Sequence, residues 1–381
     1  MTGPRHGGSG GRRSRYLDWK AIVGITISAV LLYVTFSRMD LGEVWQQLRG
    51  VNLPLFILAT AIVTFVFWIR AWRWRAILEP VADVPFRERF AAVNIGFMGN
   101  NLLPARIGEF LRAYALSRLA RVPVVGGLAS LVVERVFDGI FVIGLLFLAM
   151  LSPQFPALAG VQEIAVPGTD QSFTIAGLAG SLAVLVGLIV AVLFALVFWP
   201  RRAVRVAEWA VSWMPASFRR PIVSALEAFL AGAGVLRNPR LMLGTAAWSA
   251  VLWFWNALGF WVGMLAFGLA LPYPAAMFLA SSIALAASLP SAPGFIGPWH
   301  LMATFVLADM WGANIATAGA FAVGFHMAGF VPVTLMGLYY AWRMGLSLDE
   351  AAASEEVVED AVEQETGVDL DGGDDGRDDV A

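Results

Sequence analysis

In FAAVNIGFMGNNLLPARIG, residues 90–108, the run 90–103 is apolar enough for a membrane interior but too short and too interrupted to cross one. Asn94, Gly96, Gly99, Asn100 and Asn101 break its apolar character, and Pro104 ends it. A spanning helix needs about 20 mostly apolar residues to cross a hydrocarbon core roughly 30 Å thick. Irregular backbone at membrane depth survives only where protein or a cavity satisfies its polar groups. The stretch therefore reads as a re-entrant half-helix inside a helical membrane protein.

Working outward, the composition agrees. Of 381 residues, 59% are hydrophobic and only 14% charged, too little charge to cover a soluble surface. Long apolar runs at about 21–36, 53–69, 124–151, 173–199, 241–271 and 320–342 read as spans. Nothing alternates in the manner of a β-barrel. Two shorter pieces, about 275–289 and 299–311, flank a Pro/Gly-rich break at 290–298 and read as a second pair of broken helices. The fold class expected is all-α, a polytopic transmembrane bundle with broken or re-entrant helices. There is no cysteine, which excludes disulfides and thiolate metal sites, and His6, His300 and His326 are the only histidines. No metal and no cofactor is expected.

Charge sets the organisation. Residues 1–20 form a basic segment; the first apolar run follows without a small-residue cleavage site and reads as an uncleaved span. Residues 21–345 form the transmembrane domain. Residues 346–381 read as a disordered acidic tail, since from Asp349 onward 14 acidic side chains face one Arg377. The remainder carries 25 basic and 14 acidic side chains, a balance suited to anionic lipid. Lys and Arg collect in the N-terminus, the 70–89 and 200–220 loops and at Arg343, whereas 152–172 has none. The positive-inside rule then places both termini in the cytoplasm of a multi-pass cell-membrane protein. In this reading the Arg70–Arg75 stretch, with its tryptophans, marks a membrane interface.

Pro104-Ala105-Arg106-Ile107-Gly108 and Pro293-Gly294-Phe295-Ile296-Gly297 share the pattern Pro-x-x-Ile-Gly. Interrupted hydrophobic segments at matching places in two halves point to a transporter's binding site. The pair allows an inverted repeat; the plainer reading is that Pro and Gly simply end helices at loops.

Charged residues stand where lipid should be. Arg106, Glu109 and Arg112 recur every third residue, on one helical face. Glu134 and Asp138 are four apart, with Arg135 beside them. Ionisable groups at membrane depth are costly and mark pathways or sites. A guanidinium offers a planar fork suited to phosphate. Interhelical ion pairs that fix packing, or interfacial snorkelling, would produce the same pattern. His326 in the last span reads as a packing residue or a proton carrier, and His300 follows the second break directly. The candidate site is Asn100, Asn101, Arg106, Glu109, Arg112, Glu134, Arg135, Asp138, Pro293, Gly294, Gly297, His300 and His326. The tryptophans from Trp248 to Trp255 are expected against lipid or neighbouring helices.

Four runs in order, Asn100 to Glu109, Arg112-Ala113-Tyr114, Glu134 to Gly139 and Pro293 to Gly297, resemble the lysylphosphatidylglycerol synthase transmembrane-region family, also called flippase-like. The resemblance covers about residues 20–345 and implies a stand-alone member without the synthase part, so lysyl transfer is not implied. It implies a lipid translocase acting on an anionic, aminoacylated or polyprenyl-phosphate-linked lipid. The alternative is a membrane enzyme or accessory subunit of lipid-linked sugar or envelope lipid metabolism. No Walker loop, Gly-x-Ser-x-Gly or His-Glu-x-x-His occurs. The partners implied are a membrane lipid as substrate and a lipid-modifying enzyme or glycosyltransferase, with no nucleic acid.

Overall fold

A computed structural model describes residues 14–103, 107–156, 163–165, 172–174, 199–214, 238–288 and 291–347, with ten single positions between 184 and 362. The sequence places helix starts with side-chain caps. Asp40 accepts from Gly42 and Glu43 N–H to begin α2 (Leu41–Arg49), and Asn52 accepts from Leu55 N–H to begin α3 (Leu53–Leu78). An Asx oxygen satisfies amides that no helical carbonyl can reach. Before α2 runs α1 (Ser14–Phe36), bent from it by 85°. After α3 come α4 (Phe86–Leu102), α5 (Gly108–Ala120) and α6 (Val124–Met150).

A two-stranded hairpin, β1 (Glu163–Ala165) and β2 (Ser172–Thr174), and α7 (Pro200–Ala210) follow. The second half holds α8 (Pro239–Ala266), capped by Asn238, then α9 (Tyr273–Ala286) and α10 (Pro298–Thr304). A π-helical stretch (Phe305–Met310) continues α10, and α11 (Ile315–Met344), capped by Asn314, closes the bundle. The fold is helical, as expected. Among the described residues α3, α8 and α11 are long and apolar enough to cross a membrane, and the bent α1–α2 pair qualifies if counted as one span.

The two halves run in opposite senses. Asn52 N–H donates to Ala266 O at 2.8 Å, while Trp72 and Trp248 meet at 5.8 Å at the other end, so α3 and α8 are antiparallel. The α4–α5 hairpin enters from the end where α3 finishes. The pair α9–α10 enters from the end where α8 finishes. α4 packs on α11 and α9 packs on α6, as an exchange of halves requires. Each half is therefore long helix, hairpin, long helix, in an inverted arrangement.

The hairpin tips meet midway along α11. At the first tip, Asn101 Nδ2 donates to Thr334 Oγ1 at 2.8 Å. At the second, a Cβ added to Gly294 would press on Phe330 and approach the Asn101 carbonyl. The second tip turns through Gly294 (φ 71) and Gly297 (φ 101), where a side chain is strained, and Phe295 (φ 58) accepts that cost. The legs of the first hairpin touch because Gly96 and Gly108 face each other; a Cβ on Gly96 would lie 2.7 Å from Arg112 Cβ.

Ser28 on α1 clasps the second tip. Its hydroxyl donates to Ile296 O at 2.6 Å and accepts from Ala292 N–H at 2.8 Å.

Several boundaries depart from expectation. α3 continues to Leu78, nine residues past the 53–69 run, because its last turns are buried by protein and need not leave the membrane at Arg70. The expected tail is not bare at its start: positions 350, 351, 354, 357, 358, 361 and 362 are helical, and Ala351, Ser354 and Val358 are buried. Ala351 joins the core that includes Trp74 and Leu116, so small apolar residues order part of this acidic segment. Nearly all of the expected 173–199 span, and the 152–172 loop beyond Pro156 apart from the β residues, lie outside the described residues.

Candidate functional site

Glu134 and Asp138 stand one turn apart on α6, both buried, and four guanidiniums surround them. Arg112 of α5 meets Glu134 through two parallel bonds of 2.9 Å. Its guanidinium also lies 3.9 Å over the Trp74 ring, and Trp74 Nε1 is tied to Ser130 Oγ at 3.0 Å. Arg73 of α3, fully buried, donates to Asp138 Oδ1, and a second nitrogen lies 3.2 Å from Glu134 Oε1. Trp253 Nε1 of α8 donates to the same Asp138 oxygen at 3.2 Å, and Arg73 also reaches Ser249 Oγ.

Arg70 and Arg135 are held more loosely. Arg70 approaches Asp138 Oδ2 at 3.4 Å and Glu134 Oε1 at 3.6 Å, with its guanidinium 5.0 Å from the Phe97 ring centre. Arg135 approaches Glu134 at 3.3 Å, Glu109 at 3.5 Å and Asp138 Oδ2 at 3.8 Å, and its side chain remains 44% exposed. Among the described residues four guanidiniums thus share three carboxylates in this cluster. Taking a buried pair apart costs more than the pair contributes, so such a cluster holds as a unit.

The cluster borders a cavity of about 360 Å³ between the two hairpin tips. Arg70, Arg135, Phe97, Trp253, Ser288 and Phe295 contribute to its wall.

The residues picked out from sequence divide. Asn100, Glu109, Arg112, Arg135 and Asp138 line the cavity, and Glu134 sits behind them as the shared carboxylate. Asn101 bonds to Thr334 and holds the first tip to α11. Pro293 and Gly294 shape the second tip, whose Phe295 reaches the cavity.

Gly297, His300 and His326 are not in its wall. Gly297 packs on Ser28, and His326 Nε2 lies 2.9 Å from Gly294 O, against which it donates. The two histidine rings meet edge-on at 4.9 Å, with Trp299 stacked on His326. They buttress the tip from the far side. Arg106 lies outside the described residues. Among the described residues no group of three His, Asp or Glu stands ready for a metal ion.

Sequence reasoning missed Arg70, Arg73 and Trp253. Beside tryptophans near the end of an apolar run the two arginines look interfacial, yet they are 9% and 0% exposed and meet the buried carboxylates. The signal was present: they are three apart on one helix, the spacing needed to reach carboxylates four apart on another. Trp253 packs on a neighbouring helix, one of the two surroundings expected for it, and there donates to Asp138, while Trp255 donates to Ile62 O and Trp248 packs on Trp72.

The comparisons with known proteins accord with this architecture. The glycosyltransferase AglD of Haloferax volcanii is 27% identical over 89% of this chain, which spans 57% of that longer protein. A UPF0104 membrane protein of Methanothermobacter thermautotrophicus is 26% identical over 87% of this chain and 95% of its own length. Another, from Methanocaldococcus jannaschii, is 31% identical over 30% of this chain and 38% of its own. No solved structure matches. The model of the lysylphosphatidylglycerol synthase TM region matches residues 21–337, and the chain is a member of that membrane-protein family.

Proposed function

We propose that this protein is a translocase that moves an anionic lipid headgroup between leaflets through the cavity between the two hairpin tips. One observation carries the reading: among the described residues guanidiniums outnumber carboxylates, four to three, in a cluster bordering the cavity between the hairpin tips. Charges inside a membrane are costly and persist where they face one another, water or a ligand. An excess cation in such a place is balanced by an anion from outside, and a lipid phosphate meets that need with the geometry guanidinium prefers.

The opposed hairpins support the same reading. Alternating access works by moving one half against the other around a site at their junction, and the tips meet where the cavity lies. On this reading the protein lies in the cell membrane with both termini cytoplasmic.

A second reading has support in the relative named a glycosyltransferase. There the chain is the membrane part of a sugar-lipid pathway and works beside a transferase. The two readings separate on one experiment. Purified protein in vesicles speeds exchange of a fluorescent anionic lipid between leaflets if it is a translocase. It leaves exchange at the protein-free rate if it serves only as an accessory subunit.

A further inference from the structure

The four arginines of the cluster are not equivalent. Arg112 is fixed three ways, by both oxygens of Glu134 and by the Trp74 ring. Arg73 is fixed by Asp138 Oδ1, Ser249 and Glu134, with no exposure. A ligand could recruit either only by breaking short bonds to a buried carboxylate.

Arg70 and Arg135 are held differently. Like Arg112 they form part of the cavity wall, but none of their contacts to carboxylates is shorter than 3.3 Å, against 2.9 Å for Arg112. Both converge on one atom, Asp138 Oδ2, from 3.4 and 3.8 Å. That oxygen is bound weakly, while its twin Oδ1 is held by Arg73 and Trp253. Asp138 therefore stays in place when Arg70 and Arg135 turn away from it.

We propose that Arg70 and Arg135 are the ligand-binding pair: they turn from Asp138 Oδ2 to grip one phosphate group, while Arg73 and Arg112 stay locked as the frame. The assignment rests on the anionic-lipid reading above and deepens it. The shared chemistry is a phosphate bearing at least one negative charge, from a lipid headgroup or free in solution. Phosphate oxygens accept the same charge-assisted bonds as a carboxylate, so the exchange costs neither arginine its counter-charge. Phe97 beneath Arg70 and Phe295 at the second tip give the cavity an apolar wall. Arg70 was hidden from sequence reading because its neighbours Trp68 and Trp72 gave it the look of an interfacial residue.

The test is thermal unfolding of the full chain in detergent micelles, followed by tryptophan fluorescence. The probes are phosphatidylglycerol in one arm and inorganic phosphate in the other. The wild type is expected to gain stability with a probe. Arg70→Gln and Arg135→Gln should keep the probe-free midpoint within a few degrees and weaken the probe's apparent affinity about tenfold or more, as befits a lost bond to a charged group. Arg70→Lys should retain part of the affinity. Arg73→Gln and Arg112→Gln should instead lower the probe-free midpoint.

A shift with phosphatidylglycerol alone assigns the site to a lipid headgroup, and one with inorganic phosphate to the free ion; loss of either shift in the two variants supports the pair. Wild-type affinity in both Arg70→Gln and Arg135→Gln overturns the assignment and leaves the translocase reading standing. A wild type that responds to neither probe overturns both.

Discussion

Arg112 and Glu134 meet fork to fork, each guanidinium nitrogen 2.9 Å from its own carboxylate oxygen, across the contact between α5 and α6. The relationship is unequal, because Glu134 also serves Arg73, Arg70 and Arg135, whereas Arg112 has Glu134 as its carboxylate. Glu134→Ala strands buried guanidiniums and is expected to cost about 3–5 kcal/mol of stability. Arg112→Ala leaves Glu134 with Arg73 and should cost less. Exchanging the two residues should not rescue, since an arginine at 134 would face three others. Denaturation of the purified variants decides this: equal losses, or a swap that restores stability, would contradict the shared-carboxylate geometry.

The first hairpin closes only because its facing positions lack side chains. A Cβ on Gly96 would lie 2.7 Å from Arg112 Cβ and 2.8 Å from Gly108 O. Gly96→Ala should therefore cost about 1–3 kcal/mol, as overpacking does. Gly144 on α6 meets nothing within 4 Å, and alanine there should be neutral or stabilising by up to about 1 kcal/mol. Unfolding midpoints of the two variants check it; a Gly96→Ala protein as stable as Gly144→Ala would remove the close approach.

The breaks were legible because Pro, Gly and Asn in an apolar run have few other uses. The carboxylates were legible because charge in such a run is conspicuous. Arg70 and Arg73 were not, because Arg beside Trp near a helix end is also how an interface looks, and only packing separates the two. His300 and His326 looked like site residues by position along the chain. Folded, His326 bonds to Gly294 O and meets His300 edge-on, outside the cavity wall. The clasp by Ser28 was invisible, since a lone serine in an apolar helix announces no partner 264 residues away.

That clasp is testable. Ser28→Ala leaves Ala292 N–H and Ile296 O without their partner. A loss of about 1 kcal/mol follows from removing the bonds of two part-buried backbone groups. Hydrogen exchange should quicken across 291–298 and stay unchanged across 86–102. Unchanged exchange at 291–298 would show that the tip holds itself.

The hairpin geometry fixes sidedness. Asp83 and Arg121, on either side of the first hairpin, lie at one end; Gln46 and Ala270 lie at the other, and all four are exposed. The chain has no cysteine, so single cysteines report cleanly. By the basic-loop rule an impermeant reagent should label Gln46→Cys and Ala270→Cys in intact cells, and Asp83→Cys and Arg121→Cys only after lysis. Asp83→Cys and Arg121→Cys labelling from opposite sides would refute the re-entrant hairpin. All four inverted would keep the fold and reverse the orientation.

The most direct measurement is leaflet-resolved exchange of fluorescent phosphatidylglycerol in vesicles holding the purified protein, read as the fraction quenched by an impermeant reductant. The account predicts that quenching of the inner-leaflet pool follows protein content in wild-type vesicles, and that an Arg70→Gln, Arg135→Gln double variant, inserted and folded, falls towards the protein-free rate. Wild-type vesicles that exchange the lipid no faster than protein-free ones would contradict it.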